Sequence, residues 1–189
     1  LEGDLPPWLD GTLVRNGPAR FEVDGDRVAH WFDGLGMLQR YAFDGGTVRY
    51  TNRFLRSTAY ERAVEAGELR GQFATGGSYL RRLWQLLTGR ATDNCNVHVA
   101  RLDGELVALT EVPRYLAVDP TTLETRGEFD FRDDLAGDLN LAHLVPDPHR
   151  GETVGLLTDF GRTSTYRLFR VADGSRRREV IAELEARRP

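Results

Sequence analysis

Residues 96–131 read NVHVARLDGELVALTEVPRYLAVDPTTLETRGEFDF, and residues 141–149 read LAHLVPDPH. In the longer stretch Val97, Val99 and Leu102 lead to Asp103-Gly104, and Leu106 to Thr110 runs on from it. An Asp-Gly pair between two short apolar runs is a strong hairpin signal, because both residues tolerate positive φ. A third strand is expected over Tyr115 to Val118, closed by Asp119-Pro120, and a fourth over Arg126 to Phe131. Four short antiparallel strands in so little chain look like one propeller blade rather than a helix–strand unit.

Two residues here resist a purely structural reading. Glu111 closes the apolar run Leu106 to Thr110, where a carboxylate is unfavourable unless paired or hydrogen-bonded. His143 lies between Leu141-Ala142 and Leu144-Val145-Pro146. Imidazole is a first-choice ligand for iron and zinc, and ligating histidines hand their other N–H to a carboxylate. The plainer alternatives stay open. From the local sequence His143 reads more readily as a core histidine bonded to a backbone carbonyl, and Glu111 as a strand-end residue that faces water or caps a turn.

Outward from this stretch, the same hairpin grammar recurs. Met37 to Phe43 alternates, Asp44-Gly45-Gly46 turns, and Thr47 to Leu55 alternates again. Before it, Pro6-Pro7 prevents helix, Thr12 to Arg15 is a short strand, and Asn16-Gly17-Pro18 reads as a turn. Phe21 to Val23 is a strand closed by Asp24-Gly25. His30 and Asp33 have the look of an acid–base pair, but Asp33 beside Gly34 reads better as a turn cap. Tyr60 to Glu68 suits a short helix or an excursion. In Ser78 to Leu87, the residues Leu80, Leu83, Trp84 and Leu87 share one face of an amphipathic helix that Thr88-Gly89 ends. Beyond His143, Pro146-Asp147-Pro148 reads as a rigid loop. Strands are expected over Thr153 to Thr158, Thr165 to Val171 and Glu179 to Leu184, and the Arg176-Arg177-Arg178 run as a solvated tip.

The chain has 189 residues, 40% of them hydrophobic, enough for one domain with a real core. A net charge of -4 gives no case for nucleic-acid binding. The basic residues other than histidine are all arginine. A lone cysteine, Cys95, excludes an internal disulfide and fits a reducing compartment. With no signal-peptide pattern and no membrane-spanning run, a cytoplasmic location is expected. Leu1 in place of Met suggests a processed product or a domain of something longer.

Taken together, ordered segments along nearly the whole chain resemble the carotenoid oxygenase family, the carotenoid and apocarotenoid cleavage dioxygenases that include the retinal pigment epithelial membrane protein. They are Pro6-Pro7-Trp8-Leu9-Asp10-Gly11, Arg15-Asn16-Gly17-Pro18, His30-Trp31-Phe32-Asp33-Gly34, Gly36-Met37-Leu38 and Asn52-Arg53-Phe54-Leu55-Arg56-Ser57. Asp93-Asn94-Cys95-Asn96-Val97, Leu109-Thr110-Glu111, Asp119-Pro120-Thr121-Thr122-Leu123-Glu124-Thr125 and Ala142-His143 complete the set. The resemblance implies an all-β fold, a seven-bladed β-propeller whose axial iron is held by four histidines, with three glutamates behind them. His143 is similar to the first iron histidine, and Glu111 to one of the glutamates that hold a different iron histidine by its outer nitrogen. The family usually has Pro after this histidine; Leu144 stands there, and a local change in strand exit is expected.

On this resemblance residues 1–189 are the N-terminal portion of the propeller domain, a partial propeller of about three blades at about 40 residues each, with one short helical excursion. The remaining iron ligands are expected in a missing C-terminal half. The implied activity is Fe(II)-dependent cleavage of a conjugated double bond of a carotenoid or apocarotenoid by O2, giving carbonyl products, with the site incomplete in this chain. The Leu80, Leu83, Trp84 and Leu87 stripe either packs on the propeller or touches a membrane surface as a peripheral contact. Two other readings stay open: a catalytically inactive truncated fragment with a structural or partner-binding role, and a propeller hydrolase or lyase using Zn or Ca. No acidic metal loop supports the latter.

Overall fold

The computed structural model describes residues 3–28, 30–67, 69 and 92–186. The chain opens with β1 (Gly11–Arg20), the small hairpin β2 (Glu22–Val23) and β3 (Asp26–Arg27), and a 3-10 turn at Trp31–Asp33. Next come β4 (Leu35–Asp44), β5 (Thr47–Phe54) and helix α1 (Thr58–Ala66). A four-stranded meander follows: β6 (His98–Leu102), β7 (Glu105–Leu109), β8 (Tyr115–Val118) and β9 (Thr125–Phe129). The last sheet holds β10 (Leu139–Asn140), β11 (Val145–Asp147), β12 (Glu152–Asp159), β13 (Ser164–Ala172) and β14 (Arg178–Ala186).

Turn chemistry sets these pairings. Asp103 at φ 48° and Gly104 at φ 75° join β6 to β7 through the left-handed pair that matches strand twist. The β4–β5 hairpin closes through Gly45-Gly46 in the same region. The expected turn at Asn16-Gly17-Pro18 is corrected: those residues continue β1. Because β1 is the edge of its sheet, in the order β1-β4-β5, the missing N–H of Pro18 is tolerated there, next to a register shift.

Side-chain parity stacks the sheets in layers. Val107, Leu109, Tyr115 and Ala117 point into a core shared with Leu157, Phe169 and Val171 of the last sheet. Their neighbours Ala108, Leu116 and Val118 point the other way, onto Leu38 of the first sheet and Leu55 just after β5. The meander is therefore covered on both faces, which explains why β7 and β8 read as continuous apolar runs. Phe129 and Phe169 are almost fully buried, and each such side chain contributes about 1.5–3 kcal/mol.

Two expectations fall here. Among the described residues the structure is mostly β with one short helix, but it is not a partial seven-bladed propeller of three blades. Among the described residues the strands form four separate open sheets of three, five, two and four strands, none closed or curled into a barrel or propeller. Turn signals dictate which strands neighbour each other within a sheet; they do not dictate closure between sheets. The α-helix among the described residues is α1, capped by Ser57 and ended by Gly67 at φ 65°. The amphipathic stripe of Leu80, Leu83, Trp84 and Leu87 lies outside the described residues.

Of the Arg176 to Arg178 run, Arg177 is exposed as expected of a solvated tip, but its two neighbours are not. The Arg176 guanidinium bonds Asp103 at 2.7 Å and Glu105 at 2.9 Å and covers the Phe129 ring at 4.6 Å. Arg178 pairs with Asp133, both side chains under a tenth exposed, over the rings of Phe131 and Phe169. These arginines fasten the last sheet to the meander.

Candidate functional site

His143 is displayed by a break in an edge strand. Strands β10 and β11 are successive halves of one edge running along β12: Asn140 lies opposite Leu157, and Val145 opposite Val154. Between them residues 141–144 face only residues 155–156, and Leu141 N–H still bonds the Leu156 carbonyl at 2.8 Å. Alternation sorts the side chains of the break. Ala142 and Leu144 turn inward and join the core, whereas Leu141, His143 and Val145 are exposed. His143 is thus not the core histidine that its apolar neighbours suggested; those neighbours anchor it while its ring faces out.

Gly155 makes this arrangement fit. A Cβ there would lie 2.4 Å from Cζ of Phe169 and 2.7 Å from Cδ2 of Leu144. Gly155→Ala is therefore expected to displace Leu144, and with it the His143 segment, at about 1–3 kcal/mol. A lower urea midpoint with an unchanged m-value is the expected readout, and an unchanged midpoint would refute this packing.

The second imidazole, His98, was given no role by sequence. It starts β6 on the face of Ala100 and Leu102, which packs toward the last sheet. Its backbone pairs with Leu109, and the Asn16 amide donates to the His98 carbonyl at 2.9 Å and the Cys95 carbonyl at 2.7 Å. The His98 and His143 ring centres lie 5.2 Å apart at a 47° tilt. Burial, and then the neighbouring His143, push the His98 pKa below its ordinary value, so the neutral ring is favoured.

Glu111 is half-buried just beyond β7, and its carbonyl accepts the Asn140 N–H at 2.7 Å. That bond ties the end of the meander to β10, immediately before the His143 segment. Among the described residues, no hydrogen bond or ion pair occupies the Glu111 carboxylate. The Tyr115 hydroxyl and the Asn140 side chain are buried beside one another there, and burial pushes the Tyr115 pKa upward.

Other reactive groups drop out. Burial raises the Cys95 pKa far above the ordinary thiol value, and its Sγ donates to the Arg114 carbonyl at 3.2 Å, so it is no thiolate nucleophile. The His30 Nδ1 accepts the Phe32 N–H at 3.2 Å, which makes it a cap for the 3-10 turn rather than half of an acid–base pair. Imidazole suits first-row divalent ions, so His98 and His143 fit part of a metal donor set. The expectation of a metal-binding cluster is corrected: among the described residues no group of three or more His, Cys, Asp or Glu side chains could hold a metal ion. Sequence reasoning missed His98, Asn16 and Gly155, whose partners are distant in the chain; only the in-register alternation around His143 was there to be read.

This chain belongs to the family described as Retinal pigment epithelial membrane protein, which matches it over residues 1–189. It is 40% identical to Carotenoid cleavage dioxygenase 8 homolog A, chloroplastic, of Oryza sativa subsp. japonica, over 99% of this chain and 36% of the rice protein. It is 31% identical to the Beta,beta-carotene 15,15'-dioxygenase of Gallus gallus, over 90% of this chain and 35% of the chicken protein. Among solved structures it is similar to cobalt-substituted Synechocystis apocarotenoid oxygenase, with a TM-score of 0.78 and 28% identity over 97% of this chain and 40% of that one. The chain thus spans about a third of the length of the curated relatives it matches, and it corresponds to their N-terminal region.

Proposed function

We propose that this chain is part of a non-haem Fe(II)-dependent dioxygenase that cleaves a conjugated double bond of a carotenoid or apocarotenoid, its active site incomplete in these residues alone. The observation that carries the proposal is the outward imidazole of His143, presented by an interrupted edge strand in a chain of this family. His143 would hold the iron through a ring nitrogen, with further ligands from chain beyond these residues. The carboxylate of Glu111 would accept the N–H of a different ligating imidazole, fixing that ring's orientation and raising its basicity. The chemistry supplied by Fe(II) when bound is activation of O2, whose two atoms end on the two carbons of the broken double bond as carbonyl oxygens. The exposed Leu141 and Val145 beside His143 offer apolar surface suited to a polyene and to excluding water.

The test is anaerobic Fe(II) titration of the metal-free chain, wild type against His143→Ala. Loss of a direct ligand should weaken binding by at least the roughly 10–100-fold seen for outer partners of metal ligands. Equal affinity in the two proteins would remove His143 from the site. In the intact protein that carries this chain, the same substitution should abolish carbonyl products from a carotenoid or apocarotenoid substrate, read by chromatography.

A further inference from the structure

We infer that Asn140 is a positioning residue for His143: its buried carboxamide holds the Leu141 carbonyl out of the edge ladder and so keeps the strand interrupted where the imidazole stands. Its part in catalysis rests on the reading of His143 as a ligand; its test needs no metal.

The ladder is the first argument. Pairing with β12 stops at Asn140–Leu157 and resumes at Val145–Val154, so residues 141–144 of the edge face only residues 155–156. The common bulge carries one extra residue; this edge carries two, and the longer excursion needs something to hold it. The next step of a regular ladder would set Leu141 opposite Leu156, with both N–H···O bonds exchanged. Half of that step is made, from the Leu141 N–H to the Leu156 carbonyl at 2.8 Å. The Leu141 carbonyl instead accepts the Asn140 Nδ2 at 3.0 Å. A short amide side chain that takes a neighbouring carbonyl competes with the sheet for it.

The second argument is what seats the carboxamide. Asn140 is 2% exposed, and its side chain is buried beside the Tyr115 hydroxyl of β8. Its backbone N–H bonds the Glu111 carbonyl at 2.7 Å, at the end of β7. An amide at that depth is unfavourable unless it is hydrogen-bonded, so its bond to the Leu141 carbonyl is a strong constraint. Asn140 is thus fixed from the meander, and what it sets is the path of the edge strand. Were the ladder regular from Asn140, His143 would stand opposite Val154, the place that Val145 takes. The interruption holds it short of that place, with its ring centre 5.2 Å from that of His98.

The test uses the 189-residue chain, wild type against Asn140→Leu, which fills a similar space and removes the donor. Two readings are taken by NMR: amide exchange along β12, and the cross-peak between the His98 and His143 ring protons. In the wild type the Leu156 N–H should exchange faster than those of Gly155 and Leu157, which alternate toward β13. In Asn140→Leu the freed Leu141 carbonyl takes the Leu156 N–H. That amide should then slow about fivefold or more relative to Gly155, the factor that one net hydrogen bond gives. The ring cross-peak should vanish as His143 moves toward Val154. Leu38→Ala, a cavity in the first sheet's core, is the control; it lowers stability and should produce neither change. If Asn140→Leu leaves both readings as in wild type, or speeds Leu156 along with its neighbours, Asn140 only fills the core and the inference falls. The Fe(II) titration of His143→Ala decides the ligand reading separately, because neither NMR reading involves iron. Should Asn140→Leu fail to fold, Asn140→Asp, which keeps an oxygen and lacks the donor when ionised, is judged on the same two readings. A wild-type Leu156 N–H that exchanges as slowly as that of Leu157 overturns the inference without any variant.

Discussion

Asp133→Ala is expected to destabilise the fold by about 3–5 kcal/mol, the range for removing one partner of a buried ion pair. The Asp133 carboxylate takes the Arg178 Nη2 at 2.6 Å and Nε at 3.1 Å, the Arg178 backbone N–H at 2.7 Å and the Leu135 N–H at 3.0 Å. Its removal leaves a guanidinium buried between Phe131 and Phe169, with the Leu135 carbonyl as its remaining acceptor. An apolar replacement of both partners, Asp133→Leu with Arg178→Met, removes the stranded charge and should recover part of the loss. Recovery should be incomplete, because the backbone N–H groups of Arg178 and Leu135 still lose their acceptor. Urea denaturation of the two singles and the double forms the cycle. An Asp133→Ala midpoint equal to wild type would show that this contact does not hold the sheets together.

The same pair gives a signed pH dependence. Burial alone would raise the Asp133 pKa; hydrogen bonds from the Arg178 side chain and from the backbone N–H groups of Arg178 and Leu135 outweigh it and hold it below the ordinary value. The unfolded carboxyl thus keeps its proton more readily than the folded one. The pair's contribution is complete above the unfolded pKa of about 4 and drains away as pH falls toward the lower folded value. Asp133→Asn, which has no such titration, should show a flatter loss of stability over that acid range.

Local chemistry made much of this architecture legible. Asp103-Gly104 and Gly45-Gly46 carry the positive φ that their hairpins need, and the strands around them were readable for that reason. What stayed hidden depends on partners far along the chain. Pro18 looked like a turn because nothing near it says that β1 is an edge. Arg178 looked solvated because Asp133 and Phe131 lie elsewhere in the sequence. At the candidate site, His143 and Glu111 stood out as polar residues in apolar runs. His98 did not, because its neighbour is His143, brought in from another sheet. Local pattern also carried no information on whether sheets close on one another, and that is where the propeller expectation failed.

Asn94→Ala is the second large effect, expected at about 2–4 kcal/mol from two backbone groups that lose a buried partner. Asn94 is 5% exposed; its Oδ1 accepts the Gly36 N–H at 2.9 Å and its Nδ2 donates to the Gly34 carbonyl at 2.9 Å. The two losses differ. Gly34 keeps the Asn96 amide at 2.8 Å, whereas the bond to the Gly36 N–H has no such replacement. Next to it, the Asp93 carboxylate caps α1 by accepting the Thr58 N–H at 2.6 Å and the Ala59 N–H at 3.0 Å. The segment therefore clasps the first sheet, the helix and the start of the meander, and its Cys95 carbonyl shares the Asn16 amide with that of His98. Asn94→Asp separates the two halves of the clasp: it keeps the acceptor for Gly36 and turns an oxygen toward the Gly34 carbonyl. If the acceptor half dominates, Asn94→Asp should lie closer to wild type than Asn94→Ala in thermal unfolding. If the two fall together, repulsion at Gly34 matters as much as the lost Gly36 bond. Wild-type stability in Asn94→Ala would mean that the clasp is not what positions β6, and with it His98.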